Sequence, residues 1–275
     1  MKGKGDIMRY VFVSDIHGCY DKLIAALNKV NFNSDADTIV SVGDPFDRGS
    51  QSKEVLEFLM NCPNRILIWG NHDLRLRDLI LGVAKPNKYD YPNGVLETMH
   101  SFCDNVFNFA FINELITFFK SDDRFANTYK LLWKYFDECV FAAEWNGLIA
   151  THGWLPNEEE FLKNKAVLKL SATLMPNWRS AATKSDWVDA TWSNTEDMIA
   201  DKAFPDKTLL VGHWHAWRLR DFEQSVHRAT LKLQDIDFST YFYQDKLIAI
   251  DGCCNVIPGL VNTYVYECDD APKFY

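Results

Sequence analysis

The sequence predicts an α/β fold, because apolar strands alternate with amphipathic helices through its N-terminal part. Three apolar runs rich in β-branched residues, at 9–14, 38–42 and 65–69, are each followed directly by an Asp or a Gly. The segments between them carry apolar residues at the three- and four-residue spacing of a helix. This alternation predicts a βαβαβα order and a mostly parallel sheet.

The helices between these strands are expected from the spacing of leucine and valine. The first covers residues 20–30, where Leu23 and Leu27 lie on one face. Ser50 is expected to cap the second helix, since a serine side chain accepts hydrogen bonds from the free amides of a helix start. A third helix is expected to begin near His72.

The remainder of the chain predicts an insertion and a second group of strands. Residues 74–137 are rich in Phe, Tyr and Leu at helical spacing, which predicts a helical insertion that packs over the sheet. Residues 156–206 are expected to mix helix and loop. Further strands are predicted at 148–151, 209–211, 247–250 and 261–266. No internal repeat or low-complexity linker interrupts the chain, so residues 8–275 are expected to form one domain.

The composition argues against several classes of function. The 275 residues carry a formal net charge of −9, which argues against non-specific nucleic-acid binding and anionic membranes. No apolar run is long enough to span a bilayer, and no signal-peptide core is expected. The seven cysteines contain no CxxC pair, which predicts reduced thiols and a cytoplasmic protein. Adjacent Cys253 and Cys254 are expected to be small buried residues, with a redox-active pair as the alternative.

Chemically active side chains follow five of the predicted strands. The motifs are DIHG at 15–18, GDPFDRG at 43–49, GNHD at 70–73, HG at 152–153 and GHWH at 212–215. Each motif alone is more typical of a turn or a helix cap, but five of the seven histidines fall within them. Because the carboxyl ends of strands in an open α/β sheet form the ligand crevice, these segments are expected to converge on one site.

The donors at these strand ends are oxygen and imidazole without thiolate, a set that suits Mn²⁺, Fe or Zn²⁺ rather than a cysteine-rich structural zinc. They are Asp15, His17, Asp44, Asn71, His152 and His213. Such a set is too large for one tetrahedral ion and suffices for two ions that share a bridging carboxylate. Two-metal sites lower the pKa of bound water and clamp the attacking and leaving oxygens of an in-line displacement, which is phosphoester chemistry.

The order of the motifs resembles that of the calcineurin-like metallophosphoesterases, from residue 9 to about residue 266. The GDxxDRG version is similar to the phosphoprotein-phosphatase branch, and the first motif resembles both bacterial or phage-type Ser/Thr phosphatases and symmetrical diadenosine tetraphosphatases. The resemblance implies a metallophosphoesterase-type αββα sandwich with a helical insertion. It also implies a metal-dependent phosphoric ester hydrolase that cleaves phosphate monoesters by in-line attack of a metal-bridging hydroxide.

The same resemblance implies a role for each motif residue. Asp15 and His17 would bind the first metal, Asp44 would bridge both, and Asn71, His152 and His213 would bind the second. His72 would be the general acid that protonates the leaving alkoxide, with Asp47 holding its imidazolium. Arg48 would bind the phosphoryl oxygens, which a planar guanidinium fits well. The implied cofactor is a pair of divalent ions, Mn²⁺ before Fe or Zn²⁺, and the implied partner is a phosphorylated protein or a nucleotide.

Three features depart from the pattern of the branch. His215 either joins the first metal, as the second histidine of a GHxH pair does in phosphodiesterases and nucleases, or lies at the rim. Trp192-Ser193-Asn194 stands where phage-type relatives carry Trp-x-Arg, so a second phosphate-binding charge would come from elsewhere. The candidates for that charge are Arg179, Arg218 and Arg220. The insertion is either a lid that selects the substrate or structural padding.

The motifs leave several functions open. SVGDPFDRG favours a Ser/Thr protein phosphatase-like enzyme, whereas GNHDLRL, VGHW and AIDGCC resemble the dinucleotide hydrolases. A symmetrical dinucleoside tetraphosphate hydrolase is therefore the alternative. A phosphodiesterase or nuclease is favoured only by His215. A non-enzymatic metal-binding protein would not be expected to keep His72 and Asp44.

Overall fold

Two β-sheets lie face to face, and helices cover the outer face of each sheet, which makes an αββα sandwich. The computed structural model describes residues 7–160, 171–224 and 232–275. His227 and residues 161–170 of the predicted mixed segment lie outside the described residues. Within those ranges, every helix is too short or too polar to cross a bilayer.

Strands and helices alternate from β1 to α3, and runs of several helices or several strands follow. The strands of the described residues are β1 (Met8–Val13), β2 (Thr38–Val42), β3 (Arg65–Ile68), β4 (Ala142–Glu144), β5 (Leu148–Thr151), β6 (Asn157–Glu160), β7 (Ser171–Leu174), β8 (Thr208–Val211), β9 (Tyr241–Tyr243), β10 (Leu247–Ala249), β11 (Thr263–Cys268) and β12 (Lys273–Phe274). The α-helices are α1 (Tyr20–Lys29), α2 (Ser52–Asn61), α3 (Asn71–Leu81), α4 (Val95–Phe102), α5 (Ile112–Ser121), α6 (Ala126–Glu138), α7 (Trp178–Ala181), α8 (Lys184–Ala190), α9 (Thr195–Ala200) and α10 (Ala216–Glu223).

The first sheet has the strand order β11-β1-β2-β3. Strands β1, β2 and β3 are parallel, with Val40 of β2 opposite Ile66 of β3, as the predicted alternation requires. Helices α1 and α2 make the crossovers between them, because parallel neighbours cannot be joined by a tight turn. Strand β11 adds an antiparallel edge, where Tyr264 lies opposite Phe12.

The second sheet has the strand order β12-β4-β5-β8-β10-β9. Strands β5, β8 and β10 are parallel, while β4, β9 and β12 pair antiparallel with their neighbours. Strands β6 and β7 form a separate antiparallel pair. The predicted parallel arrangement is confirmed for β1, β2 and β3, and most of the later strands form the second sheet of the expected αββα sandwich.

Three apolar layers hold the sandwich together. In β1, Val11 and Val13 face the helices while Phe12 faces the second sheet, because successive side chains of a strand point to opposite faces. Trp145 and Ile248 of the second sheet fill the layer between the sheets. Helices α1 to α6 pack on the first sheet, and α7 to α10 pack on the second.

The segment 74–137 is helical, as predicted. It contains most of α3 and α6 and all of α4 and α5. Phe102, Phe119 and Tyr135 are buried in the apolar layer outside the first sheet. Both α4 and α6 contact α2, so the segment packs over the first sheet through that helix.

Two details of the sequence prediction are wrong. Ser50 does not cap α2, which begins at Ser52 after Gln51. The physical reason is that the amides of Gly49 and Gln51 donate to the carbonyls of His17 and Gly18, which keeps this stretch in a loop. The sequence patterns also missed strands β4, β6, β7, β9 and β12, of which β4, β9 and β12 have only two or three residues and are too short to show alternation.

The cysteine prediction is confirmed for the adjacent pair. Cys253 and Cys254 are both buried beyond the end of β10, and all seven cysteines are free thiols.

A buried ion-pair cluster at Glu144 gives a pH-dependent stability prediction. Its carboxylate accepts hydrogen bonds from Arg179, Lys207 and Tyr275. Burial raises the pKa of Glu144, but these partners outweigh burial and lower it from 4.5 to about 2. The contribution to stability is therefore complete above pH 4.5 and is lost as the pH falls towards 2.

We expect Glu144→Gln to lower the free energy of unfolding at pH 7 by about 1.5–3 kcal/mol, the range for hydrogen bonds to charged groups. Urea denaturation should show the difference between the two proteins shrinking below pH 4.5. Glu267→Gln is the matched control, because that carboxylate is 59% exposed and lies 3.8 Å from Arg9. A difference that stays constant down to pH 3 would contradict this origin.

Candidate metal centre

The five strand-end loops meet at one edge of the sandwich. The Asp15 amide donates to the Gly43 carbonyl at 3.1 Å, and the His17 amide donates to the Asp44 carbonyl at 3.0 Å. The His213 amide donates to Asp15 Oδ2 at 2.9 Å, which ties the last motif to the first. The convergence expected from the strand ends is therefore present.

The loops enclose a cleft of about 250 Å³. Its walls are formed by Asp15, Asp44, Arg48, Asn71, His72, His213 and His215, together with Asn93, Trp192, Trp214 and Arg218. The other three predicted site residues are buried and contact these walls: His17 beside Asp15, Asp47 bonded to His72, and His152 bonded to Asn71. The structure thus brings all ten predicted side chains together.

Six of these residues have left-handed backbone conformations, which cost a non-glycine residue roughly 1–3 kcal/mol each. They are Asp15, His17, Asp44, Asp47, Arg48 and His213, with φ between 46° and 71°. Such conformations persist only where the surrounding contacts over-determine them. Contacts from the rest of the fold therefore hold these loops in strained conformations around the cleft.

Asp44 occupies the centre of the cluster. Its Oδ1 accepts the His72 amide at 3.0 Å, and its Oδ2 lies 3.2 Å from His152 Nε2. Two sets of potential metal ligands share this carboxylate, and the ligand atoms of each set lie within 4.8 Å of one another. The sets are His17, Asp44 and His72, and Asp44, His152 and His213. Only glycine fits at Gly70, because any Cβ there would collide with Asp44.

Backbone carbonyls fix the orientation of two histidines. Nδ1 of His17 donates to the Phe46 carbonyl, and Nδ1 of His152 donates to the Val42 carbonyl, both at 2.8 Å. This is how proteins hold metal-ligating imidazoles, since it leaves Nε2 for the ion. Nε2 of His17 is buried and has no hydrogen-bond partner among the described residues. Its lone pair is therefore available to a cation.

The charges of the cluster are poorly balanced without a cation. Burial and the neighbouring Asp251 raise the pKa of Asp15 well above its usual value. Burial lowers the pKa of His152, but Asp44 and Asp15 outweigh burial and raise it to about 10. The proton on His152 Nε2 then lies between Asp44 Oδ2 and Asn71 Oδ1, the latter at 2.9 Å. A cation at this place would satisfy the same oxygens.

His17 and His213 are neutral, by contrast. Burial and the Arg48 charge lower the pKa of His17 well below its usual value. Burial and the nearby His152 lower the pKa of His213 to about 3. Neutral imidazoles offer the lone pairs that a metal requires. The donor set of carboxylates, imidazoles and one amide oxygen therefore fits a divalent ion with oxygen and nitrogen ligands.

His72 and Asp47 form an ion pair at the wall of the cleft. Nδ1 of His72 donates to Asp47 Oδ2 at 2.7 Å, and its Nε2 lies 3.5 Å from Arg48 Nη2. Burial lowers the pKa of His72, but the carboxylates of Asp44 and Asp47 outweigh burial, so the pKa is raised. When protonated, His72 can donate from Nε2 into the cleft.

The three arginines considered for phosphate binding differ in position. Arg218 lines the cleft. Arg179 is paired with Glu144 and Asp206, away from the cleft walls. Arg220 donates to carbonyls of the loop before β9. Arg218 is therefore the one of the three that lies at the cleft.

Two acids of the site were missed by sequence reasoning. Asp251 lies two residues beyond the end of β10, is buried, and has its Oδ2 3.7 Å from His215 Nε2. Asp73 accepts the amides of Gly70 at 2.9 Å and Asp44 at 3.1 Å, which clamps two loops together. The rule that strand-end acids line the crevice could have found Asp251. The GNHD motif contains Asp73, but nothing in the sequence shows which amides it binds.

The fold and the cleft define a class of protein. The model of the calcineurin-like phosphoesterase family matches residues 8–243, a range that includes all five motifs. This chain belongs to that family.

Individual relatives give a narrower comparison. The symmetrical bis(5′-nucleosyl)-tetraphosphatases of Salmonella paratyphi B and Salmonella typhimurium are each 38% identical to this chain over 91 residues, 33% of this chain and 32% of the relative. The match thus spans about a third of the length of these curated relatives. A solved structure, the cold-active protein-tyrosine phosphatase of a psychrophilic Shewanella species, covers 98% of this chain and 80% of its own with a TM-score of 0.50. At 17% identity this likeness shows a shared fold.

Because Asp44 belongs to both ligand sets, we predict that Asp44→Asn weakens Mn²⁺ binding at both. The neutral amide would not balance the positive charge of the ions. We expect the affinity for Mn²⁺ to fall by at least about 10–100-fold, because loss of a residue that only hydrogen-bonds to a metal ligand already has an effect of this size. Elemental analysis after dialysis and calorimetric titration would measure it.

Asp90→Asn is the matched control for this variant, since Asp90 is a buried carboxylate paired with Arg75 rather than with the cleft. Full occupancy by two ions in Asp44→Asn would contradict a shared ligand.

Proposed function

We propose that this protein is a metal-dependent phosphoric ester hydrolase that cleaves phosphate monoesters and is Ser/Thr protein phosphatase-like. One observation carries the proposal: Asp44, His72 and Arg48 face the same cleft. A carboxylate common to two ligand sets, a protonated imidazole and a guanidinium are the groups that a phosphoryl transfer to water requires. Membership of the calcineurin-like phosphoesterase family supports the same chemistry.

We propose two divalent ions as cofactors. Asp15, His17 and Asp44 would hold the first, which leaves His72 of the first ligand set to donate a proton. Asp44, Asn71, His152 and His213 would hold the second. His215 is proposed as a further donor beside Asp15, because its Nδ1 is buried without a hydrogen-bond partner among the described residues. Mn²⁺ is the expected metal, with Fe or Zn²⁺ as alternatives, since the donors mix carboxylate, amide oxygen and imidazole.

When bound, such ions lower the pKa of water and offset the negative charge of the phosphoryl oxygens. The residues of the chain supply binding and a proton. The Arg48 guanidinium would bind a phosphoryl oxygen. Because Arg48 Nη2 is 3.5 Å from His72 Nε2, that oxygen would lie close to the imidazole. His72 would protonate the leaving oxygen from Nε2, while Asp47 holds the imidazolium at Nδ1.

A second candidate, a symmetrical dinucleoside tetraphosphate hydrolase, is favoured by the rim of the cleft. Trp192 is 58% exposed, and its ring centroid lies 6.3 Å from that of His213. The Arg218 guanidinium stacks over Trp214, 5.5 Å from the ring centroid, on the same wall. An exposed indole beside a phosphate site is suited to stack a nucleobase. The names of the Salmonella relatives point to the same substrate class.

We further propose that residues 8–275 act as one domain in a reducing, cytoplasmic setting, where the seven free cysteines would remain reduced. The net charge of −9 favours a phosphorylated protein or a nucleotide over nucleic acid or a membrane as partner. It also disfavours a nuclease, for which His215 is the main support.

A substrate panel on metal-depleted protein refilled with Mn²⁺ tests these proposals. The panel consists of a phosphoserine peptide, p-nitrophenyl phosphate, diadenosine tetraphosphate and a bis-p-nitrophenyl diester. The first proposal predicts turnover of the peptide, and turnover of the dinucleotide alone would overturn it in favour of the second. Trp192→Ala should raise KM for diadenosine tetraphosphate and leave KM for the small aryl phosphate unchanged. Faster cleavage of the diester than of the monoester would instead support a phosphodiesterase.

The acid role of His72 predicts that His72→Ala lowers kcat by about 10²–10⁴ on a phosphoserine peptide, whose alkoxide leaving group needs a proton. The loss should be much smaller on p-nitrophenyl phosphate, because its phenolate leaves without protonation. His100→Ala is the matched control, since this half-buried histidine bonds the Phe109 carbonyl outside the cleft. Equal losses of kcat on both substrates would argue against the acid role.

A further inference from the structure

The segment 74–137 contacts the GDPFDRG loop through one threonine of α4. Thr98 Oγ1 accepts the Asp47 amide at 2.8 Å and bonds Asp47 Oδ1 at 3.1 Å. It also lies 3.1 Å from Ser52 Oγ at the start of α2. Thr98, Ser52 and Asp47 are all buried, so these bonds are shielded from competition by water.

The direction of each of these hydrogen bonds follows from the donors available. An ionised carboxylate only accepts, so the Thr98 hydroxyl must donate to Asp47 Oδ1. Its single proton is then used, so Ser52 donates to Thr98. The Thr98 oxygen therefore accepts two hydrogen bonds and donates one, and its capacity is filled.

This arrangement divides the two oxygens of Asp47 between two partners. Oδ1 is held by Thr98, and Oδ2 accepts Nδ1 of His72 at 2.7 Å. With its amide also bonded to Thr98, Asp47 is fixed at both its backbone and its side chain. If the Asp47 carboxylate could rotate freely, its hydrogen bond to His72 would lose its alignment. Hydrogen bonds weaken steeply with misalignment.

The turn before α4 supports the same loop through its backbone. The Arg48 amide donates to the Asn93 carbonyl at 3.1 Å. A Cβ at Gly94 would collide with the Arg48 backbone, and Gly94 has φ +87°, so only glycine fits this close approach. Asp47 and Arg48 both have left-handed conformations, which need such external contacts to persist.

We propose that Thr98 is a positioning residue for the proton donor: its hydroxyl orients Asp47 so that Asp47 aligns His72 with the leaving oxygen. The segment 74–137 would then be part of the catalytic support, rather than only a lid or padding. This inference rests on the phosphoester hydrolysis proposed above.

Thr98→Val and Thr98→Ser form the matched pair for a test, because valine keeps the shape and removes the hydroxyl while serine keeps the hydroxyl. On the Mn²⁺-loaded protein, Thr98→Val should lower kcat about tenfold on phenyl phosphate. This is smaller than the loss of about 10²–10⁴ expected for His72→Ala, because the proton donor is misaligned rather than removed. The loss should be less than about threefold on p-nitrophenyl phosphate. KM should not change, and Thr98→Ser should restore kcat.

Two controls separate positioning from a general loss of structure. Thr128→Val, at a buried threonine of α6, should leave the dependence on the leaving group unchanged. In an Asp47→Asn background, Thr98→Val should have no further effect on kcat, since it acts through Asp47. Additive losses in the double variant, or equal losses on both substrates, would overturn the inference.

A spectroscopic readout is independent of turnover. The proton on His72 Nδ1, bonded to a carboxylate, should give a low-field NMR resonance in metal-free protein. Thr98→Val should shift or broaden it, and Thr98→Ser should retain it. An unchanged resonance in Thr98→Val would overturn the inference even if the wild type hydrolysed nothing on the panel. If the wild type were inactive but the resonance still shifted in Thr98→Val, the proposed function would be rejected and the positioning role of Thr98 would stand.

Discussion

Buried negative charge around Asp44 is the constraint on which the rest of the structure depends. Five carboxylates of the centre are no more than 2% exposed, namely Asp15, Asp44, Asp47, Asp73 and Asp251. Burial of an ionised carboxylate costs several kcal/mol unless positive charge and hydrogen bonds compensate it. Loop amides and a proton on His152 supply part of that compensation, and a divalent cation would supply the rest. The folded chain therefore favours binding of a divalent cation at this centre.

The sandwich provides that constraint with a rigid frame. Each motif begins within two residues of the end of a strand, so the sheet edges determine where the loops begin. The loops then adopt conformations that unsupported chain would not keep, and contacts from other parts of the molecule hold them. Asp73 clamps the second and third motifs, the His213 amide binds Asp15, and α4 contacts Asp47 through Thr98. The helical segment between the third and fourth motifs is thus bonded into the site.

Much of this architecture can be predicted from the sequence, because strand–helix alternation and strand-end acids are local patterns. The ten residues that this rule predicts for the site lie together in the structure. What could not be predicted depends on contacts between distant parts of the chain. The carbonyls of Phe46 and Val42 that orient His17 and His152 carry no side-chain signal. Thr98 lies 51 residues from Asp47 in the sequence, within an aromatic-rich helical segment. No sequence pattern there indicates that this threonine contacts the site. Edge strands of two or three residues are too short to show alternation.

Diffraction from crystals soaked in Mn²⁺, recorded at the manganese absorption edge, tests the central claim most directly. The account predicts two anomalous peaks per chain, roughly 3.5–4 Å apart, with Asp44 between them. One peak, or two peaks that do not share Asp44 as a ligand, would contradict it.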